Sequence, residues 1–388
     1  MKIVFWLSLF IVFYTYLGYG IILYALVKLK RWFSKSSISH KEVFTPTLTL
    51  VVAAYNEEDI IEAKIKNTLA LQYPSEKLKF IFVTDGSTDN TPEIIARHPQ
   101  IQLLHTPERS GKIAAVHRAM QQVDTEVVVF TDANTFINKE ALLRLASHYA
   151  DKQVGAVSGE KRVEIETASD ATAGEGIYWK YESTLKKWDA ELYSIVGAAG
   201  ELFSIRTLLY DPVEPDTILD DFMISMKIAI KGYKIAYEPS AYAIESSSAN
   251  MQEEYKRKVR ISAGGIQSII RTRQLFNPFF NPILSFEYVS HRVLRWTITP
   301  FFMIFCFLFN LSIVVQGSTT LIYMLSFIAQ LCFYGAAMVG WLFERKQMRI
   351  KLLFIPYYFC FMNYCVLAGM KRYFFSNQSV LWDKAKRK

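Results

Sequence analysis

Apolar residues are unevenly distributed along this 388-residue chain, and that distribution decides what it can fold into. Residues 3–27 form one uncharged apolar run. At 1.5 Å per helical residue it is long enough for the roughly 30 Å hydrocarbon core of a bilayer. Nothing comparable follows between residues 41 and 290. Apolar runs return at about 296–316, 319–343 and 352–370. The chain therefore has to satisfy two solvents, and its mean hydropathy of +0.14 is the average of both. With 51% hydrophobic and 15% aromatic residues, a disordered chain is excluded, because such chains lack apolar surface to bury.

A cleaved signal peptide would have a shorter apolar region and a small-residue cleavage site, so residues 1–30 read as a transmembrane anchor. Lys28, Lys30, Arg31 and Lys35 follow it, and the positive-inside bias places what comes next in the cytoplasm. Residues 276–295, rich in Phe and Pro, read as an interfacial helix region leading into membrane segments over 296–370. Arg345, Lys346, Arg349 and Lys351 mark a further cytoplasmic break. Three full crossings would then put the basic tail, residues 371–388, outside. The charge bias instead makes the last segment, broken by Pro356, re-entrant or interfacial, with a cytoplasmic tail. The expected location is the cell membrane, multi-pass, with the water-soluble domain on the cytoplasmic side.

The formal net charge of +8 calls for an anionic partner. The basic runs flank apolar segments, where anionic lipid accounts for them and nucleic acid is not needed. Four cysteines, all in the last quarter, lack metal-ligand spacing, so a disulfide framework and a zinc site are not expected. The six histidines (His40, His98, His105, His117, His148, His291) include no pair at a ligand spacing. Acid–base work would fall to carboxylates.

Residues 41–275 alternate strand and helix patterns. Leu48–Ala54, Leu78–Thr84, Ile101–His105 and Glu126–Thr131 read as strands covered on both faces, with helices between them. That alternation implies an α/β fold with a mostly parallel sheet. Ligands of such sheets bind beyond the carboxyl ends of the strands. Three of those ends carry polar clusters: Asn56-Glu57, Asp85-Gly86-Ser87 and Asp132-Ala133-Asn134.

Asp132 and Asn134 would point the same way in an extended segment and offer oxygen ligands for Mg²⁺ or Mn²⁺ on a diphosphate; a helix cap is the other reading. Asp85 cannot open an EF-hand loop, because the twelfth position, which needs a glutamate, is Ala96, but a strand-end carboxylate can accept a hydrogen bond from a nucleobase N–H. Ser110-Gly111-Lys112 lacks the upstream glycine and the Ser or Thr of a Walker A loop, although glycine and lysine at a helix start can meet an anion. Asp220-Asp221 opens a helix, where one carboxylate could cap and the other act as a base. Arg257 and Arg260 lie on a basic helix whose Gly264-Gly265 pair implies a close backbone approach.

In this order the motifs resemble a membrane-embedded glycosyltransferase family 2 protein, from about residue 47 to 275 together with the flanking apolar segments. The resemblance implies a GT-A (Rossmann-like) fold and points to processive synthases of cellulose, hyaluronan and poly-N-acetylglucosamine. It implies a nucleoside diphosphate sugar donor, most simply UDP-linked, contacted by Ala54, Asn56, Glu57, Asp85, Ser87, Lys112, Asp132, Arg257 and Arg260. Asp85 would meet uracil, and Asp132-Ala-Asn134 would hold the metal, Mg²⁺ or Mn²⁺. Leu219-Asp-Asp221 makes Asp221 the inferred base of an inverting transfer. Gly197–Glu201 falls where the family has an acceptor-site strand, so Gly200, Glu201 and Asp220, with Trp382 of the tail, are acceptor-site candidates. Arg257 stands where relatives have Gln and Ile261 where they have Trp. The implied acceptor is a polysaccharide or glycan. The alternatives are single addition to a polyprenyl-phosphate or glycolipid, and, in another class, a catalytically silent membrane scaffold. The short membrane content leaves room for a homo-oligomer or a channel-forming subunit.

Overall fold

The computed structural model describes residues 1–33, 44–163, 171–246, 250–317, 320–346, 348 and 350–376, with the backbone alone over 171–179. The first helix, α1, runs Lys2–Phe33 with a π-turn over Tyr14–Gly18. The catalytic-size domain then follows as β1 (Leu48–Ala54), α2 (Ile61–Leu69), β2 (Leu78–Asp85), α3 (Thr91–Ala96), β3 (Gln102–Thr106), α4 (Lys112–Met120), β4 (Val127–Asp132) and β5 (Thr135–Ile137). It continues with α5 (Ala141–Ser147), β6 (Val154–Val163), α6 (Ala171–Leu192), β7 (Leu202–Arg206), α7 (Asp220–Ile230), β8 (Lys234–Glu245) and α8 (Met251–Arg271). Four apolar helices close the chain: α9 (Pro282–Trp296), α10 (Thr299–Val315), α11 (Leu321–Arg345) and α12 (Lys351–Phe375).

The eight strands form one mixed sheet in the order β3-β2-β1-β4-β7-β6-β8-β5. β1, β2, β3 and β4 pair in parallel; β1 and β4 are covered on both faces as their apolar runs imply, whereas β3, expected to be covered too, is the half-exposed edge strand. Each residue of β1 is buried. β7 runs antiparallel between β4 and β6, and β8 is parallel to β6. This half of the sheet was not legible from alternation, since helices also separate β5 to β8 but β5 and β7 pair antiparallel with their neighbours. Residues 197–201, expected as a strand, form the loop that delivers β7 instead.

Strand order brings the carboxyl ends of β1, β2 and β4 to one edge, next to the start of α7. The β1 and β2 end loops are tied together. The Asn56 Oδ1 accepts from the Thr88 N–H at 2.8 Å, and the Glu57 N–H donates to Thr91 Oγ1 at 2.8 Å.

Among the described residues three helices, Lys2–Phe33, Leu321–Arg345 and Lys351–Phe375, are long and apolar enough to cross a membrane. α9 and α10 would make a fourth span only as a pair bent by 59°. α12 is one continuous helix that contains Pro356, so the expected break there does not occur. Pro356 lies inside it and removes one backbone hydrogen bond without ending the helix. α12 runs alongside α8 over most of its length: Tyr255 stacks on Tyr364 at 6.0 Å, and a Cβ on Gly369 would meet Ser262 at 2.4 Å. α11 is the more exposed helix, with 11% of its apolar window buried against 39% for α12.

Candidate active site

β4 ends at Asp132 and a two-residue turn, Ala133-Asn134, leads into β5. The segment is therefore not extended, and the expected same-face argument for Asp132 and Asn134 does not apply. Neither residue caps a helix, because β5 intervenes before α5. The turn is held from below by Lys64, a fully buried lysine of α2. Its Nζ donates to the Thr135 carbonyl at 2.6 Å and to Thr131 Oγ1 at 3.2 Å. Burial pushes this amine down to about 7, with the nearby charge of Asp132 opposing.

Above the turn, Lys112 opens α4 after Gly111, which adopts φ +97°. The Lys112 ammonium lies 2.9 Å from Asp132 Oδ1 and 3.3 Å from Asp220 Oδ2. Burial alone would lower its pKa, but the carboxylates of Asp132 and Asp220 outweigh it and hold the lysine charged well above its ordinary range. Asp220 and Asp221 form the first turn of α7, and the Asp221 carboxylate accepts from the Phe222 backbone N–H. Asp221 is pushed up to about 7, first by burial and then by the charge of Asp220, against the pull of Lys112. Gly200 makes room for it: a Cβ there would sit 3.0 Å from Asp221 Oδ2.

Asp221 also lines a cavity of about 480 Å³. Residues 197–199 and Glu201 form one side, and α8 contributes Arg257 and Ile261. Lys161 pairs with Glu201 and Glu245, and Arg257 lies 3.6 Å from Glu245 Oε2 and 3.2 Å from Glu254 Oε2. Burial would raise Glu201, but the Lys161 cation wins and brings it to about 2. The Gly264-Gly265 pair has its expected close approach. Cβ atoms there would meet Leu219 at 2.7 Å and the Trp296 ring at 2.5 Å. α8 thus lies directly on the segment that carries Asp220 and Asp221.

The remaining candidates divide. Asp85 is buried, and its Oδ2 accepts from the Ser110 and Gly111 amides at 2.9 and 2.6 Å. Its other oxygen faces Arg118 at 3.6 Å. In this structure its carboxylate therefore orders the loop leading to Lys112 rather than facing the cleft. Ala54 is buried in β1, and Asn56, Glu57 and Ser87 join the β1 and β2 loops. Arg109 stacks on Tyr55 at 3.9 Å above this edge, a pairing not singled out from sequence. Arg260 is exposed and does not line the cavity. Trp382 lies outside the described residues.

Sequence reasoning also missed a buried polar cluster at the cavity's far side. His291 Nδ1 and Nε2 face Asp189 at 2.5 Å and Glu182 at 3.2 Å. Arg292 and Arg295 donate to Glu182 at 2.8 and 2.7 Å, and the Tyr19 hydroxyl donates to Asp189. Burial would raise Glu182, but His291 and the two guanidiniums hold it well below the usual carboxylate range. These residues come from α1, α6 and α9, with no local motif to reveal them.

A divalent cation would find hard oxygen donors here: the carboxylate of Asp132, whose Oδ1 is buried, and the carboxamide of Asn134 in the adjoining turn. Among the described residues no three His, Cys, Asp or Glu side chains gather as a metal cage, so a diphosphate would have to complete the shell.

Comparison with known proteins agrees with this geometry. Residues 49–210 match the family model described as Glycosyl transferase family 2. The chain is 27% identical over 235 residues to the poly-beta-1,6-N-acetyl-D-glucosamine synthase of Staphylococcus aureus strain MSSA476; the match covers 58% of this chain and 56% of that protein. It thus spans just over half the length of the S. aureus relatives it matches. The synthase of the same name from Staphylococcus epidermidis is 24% identical over 366 residues, 87% of this chain and 85% of that one. In structure the chain is similar to the mannosyltransferase PcManGT from Pyrobaculum calidifontis, solved with GDP-Man and Mn²⁺. The TM-score is 0.71 at 22% identity, over 96% of this chain and 99% of that one. The chain thus has the GT-A fold, residues 49–210 resemble a family 2 glycosyltransferase domain, and the chain is similar to the polysaccharide synthases.

Proposed function

We propose that the protein is an inverting glycosyltransferase that moves a sugar from a nucleoside diphosphate sugar, UDP-linked, onto a glycan acceptor at the cytoplasmic face of the cell membrane. The observation that carries this reading is the adjacency of two functions. Asp221, a carboxylate raised toward neutrality, lines the large cavity, while Lys112 and Asp220 join it to Asp132 at the strand edge. A base is most effective when its pKa lies near the working pH, with a typical contribution of about 10²–10⁴-fold.

In this reading the donor lies across the ends of β1, β2 and β4, and the acceptor enters through the cavity. Asp221 takes the proton of the acceptor hydroxyl. That oxygen bonds to the anomeric carbon from the face opposite the diphosphate, which leaves with the electron pair of its glycosidic bond. Asp132 and Asn134 would hold Mg²⁺ or Mn²⁺, which supplies charge neutralisation on the departing diphosphate when bound. Lys112 adds a fixed positive charge at the same edge. The named relatives make a polymer of N-acetylglucosamine, and the structural neighbour was solved with a nucleotide sugar and Mn²⁺; both support the donor class.

Single addition to a lipid-linked acceptor is the second reading. Ile261 lines the cavity where processive relatives have Trp, and α12 supplies apolar side chains opposite it. In topology, α1, the bent α9–α10 pair and α11 would cross the membrane, while α12, although long enough to cross, would lie at its surface along α8 and keep the basic tail cytoplasmic. The test is donor turnover. Purified protein in nanodiscs with Mn²⁺ or Mg²⁺ is given UDP-glucose, UDP-N-acetylglucosamine, UDP-galactose or GDP-mannose, each with lipid extract. Metal-dependent release of the nucleotide with one donor supports the transferase. No release with any donor and either metal supports the silent scaffold.

A further inference from the structure

The buried cluster on α1, α6 and α9 is tied to Asp221 by an unbroken series of contacts. Its centre is His291, which is fully buried and does not line the cavity, so it cannot touch a sugar bound there. Each of its ring nitrogens faces a carboxylate. Nδ1 lies 2.5 Å from Asp189, and Nε2 lies 3.2 Å from Glu182. Ionised carboxylates only accept hydrogen bonds, so both nitrogens donate. Glu182 passes the contact on: its Oε1 also accepts from Arg292 at 2.8 Å, and its Oε2 accepts from Arg295 at 2.7 Å.

Pairing with Glu182 occupies one nitrogen of the Arg292 fork and leaves its Nε and its flat face for other partners. The Nε donates to the Val196 carbonyl at 3.3 Å, and the guanidinium lies 5.5 Å from the centre of the Trp296 ring. Val196 immediately precedes the loop of residues 197–201. Gly197, at φ +83°, is pressed onto the Phe222 ring, where a Cβ would come within 2.2 Å. Trp296 stands against that ring too, with centroids 5.6 Å apart. Phe222 is thus gripped between the loop and Trp296, and Arg292 touches both sides of the grip. Phe222 follows Asp221 directly, and its N–H donates to the Asp221 carboxylate. At the far end of the loop, Gly200 lies against Asp221 Oδ2.

Resting on the sugar transfer proposed above, we infer that His291 is a positioning residue for Asp221, acting through Glu182 and Arg292. Donation from Nε2 fixes Glu182, and Glu182 aims Arg292. Arg292 in turn sets the Val196 loop and Trp296, which hold Phe222 and with it the carboxylate. Donation from Nδ1 does something else. It binds α9 to Asp189 of α6, which also accepts from Tyr19 of α1, and so ties three helices together. The two nitrogens of one ring therefore have separable roles, one in catalysis at a distance and one in the fold. The first is sensitive to small displacements, because a misplacement of about 1 Å at a reacting group costs up to about 10²-fold in rate.

Side-chain amides separate the two nitrogens. In His291→Gln the amide nitrogen reaches about as far as Nε2 and can still donate to Glu182; in His291→Asn it reaches only as far as Nδ1 and can donate to Asp189 alone. Full-length protein in nanodiscs is assayed for nucleotide release with each of the four nucleotide sugars and Mn²⁺, for UDP binding, and by thermal melt. His291→Asn should lose about tenfold or more in kcat with donor KM and UDP affinity within about twofold, and His291→Gln should stay within about threefold of wild type. Hydrogen exchange is read in parallel without donor. The Ala198 and Ala199 amides, held by the Ser225 and Ser158 hydroxyls, should exchange at least about tenfold faster in His291→Asn and at the wild-type rate in His291→Gln. Equal losses in both variants, or losses that follow the melting temperature, would overturn the inference and leave a purely structural cluster. A raised donor KM at unchanged kcat would overturn it in favour of donor binding. If His291→Asn does not keep its thermal transition, Arg292→Lys, which retains a cation for Glu182 but gives up the Nε contact with Val196, should show the same loss of kcat, and full activity there would equally refute the coupling. A wild-type protein that releases no nucleotide counts against the transferase reading, while hydrogen exchange still decides whether His291 holds the loop.

Discussion

Replacing Asp221 with asparagine tests the central chemistry with the least disturbance. The two side chains are nearly isosteric, the asparagine oxygen can still accept from the Phe222 backbone N–H, and Gly200 leaves the amide the clearance the carboxylate already has. The variant should therefore fold and bind nucleotide. What it loses is a proton acceptor. At about 10²–10⁴-fold for a general base, the barrier rises by about 3–5 kcal/mol. The wild-type enzyme should show the matching pH dependence. With Asp221 at about 7, roughly a tenth of the base is ionised at pH 6 and nine-tenths at pH 8, so turnover at saturating donor should climb about tenfold over that interval. The assay is UDP release at saturating donor and metal from pH 5.5 to 8.5, alongside UDP binding by calorimetry. Asp221→Asn should lose at least about 100-fold in turnover and lose this acid limb while UDP affinity stays within about twofold. A variant that keeps turnover within a few-fold, or keeps the acid limb, would show that the proton goes elsewhere.

Other perturbations follow from the same packing. Asp220→Asn removes the like charge beside Asp221, and the acid limb should move to lower pH in a turnover profile. Lys64→Met removes the support under the Asp132 turn, and calorimetry should show weaker Mn²⁺ binding in the presence of UDP. Lys64 also contributes to the pH dependence of stability. Its folded value is depressed to about 7 against an unfolded 10.5, so its contribution is fully present above 10.5 and is lost as pH falls through 7. Thermal melts of Lys64→Met between pH 7 and 10 should accordingly rise less steeply than wild type. Gly265→Val drives a side chain into the Trp296 ring, where a Cβ would already stand at 2.5 Å, and should cost about 1–3 kcal/mol by denaturant titration. Chelating the divalent metal should stop donor turnover, and Mn²⁺ should restore it.

The parallel half of the sheet was readable because β1, β2 and β4 are continuous apolar runs, which only a doubly covered strand requires. β7 and β8 were not, because their pairing depends on where a long chain returns rather than on local pattern. Among site residues, Lys112, Asp132, Asp220 and Asp221 were found as polar groups at strand or helix ends, and the structure brings them together. Asp85 was found for the same reason, yet its carboxylate is turned onto the Ser110 and Gly111 amides, an orientation that spacing does not encode. Lys64, Glu182 and His291 carried no signal. An isolated lysine or histidine on a helical pattern reads as surface until the neighbouring elements bury it.

Local pattern alone thus determined that this chain divides between apolar segments and a water-soluble middle, that this middle begins as a parallel α/β sheet, and which loops face the ligand edge. Those properties follow from hydrophobic periodicity and from backbone groups that must be satisfied within a few residues. Tertiary structure decided the rest. It set Asp221 near neutrality by placing Asp220 and a buried wall beside it, and it laid α12 along α8. It also assembled a cavity from α1, α6, α8, α9 and α12. Burial and electrostatic coupling depend on distances between residues far apart in the chain, and those exist only once it has folded.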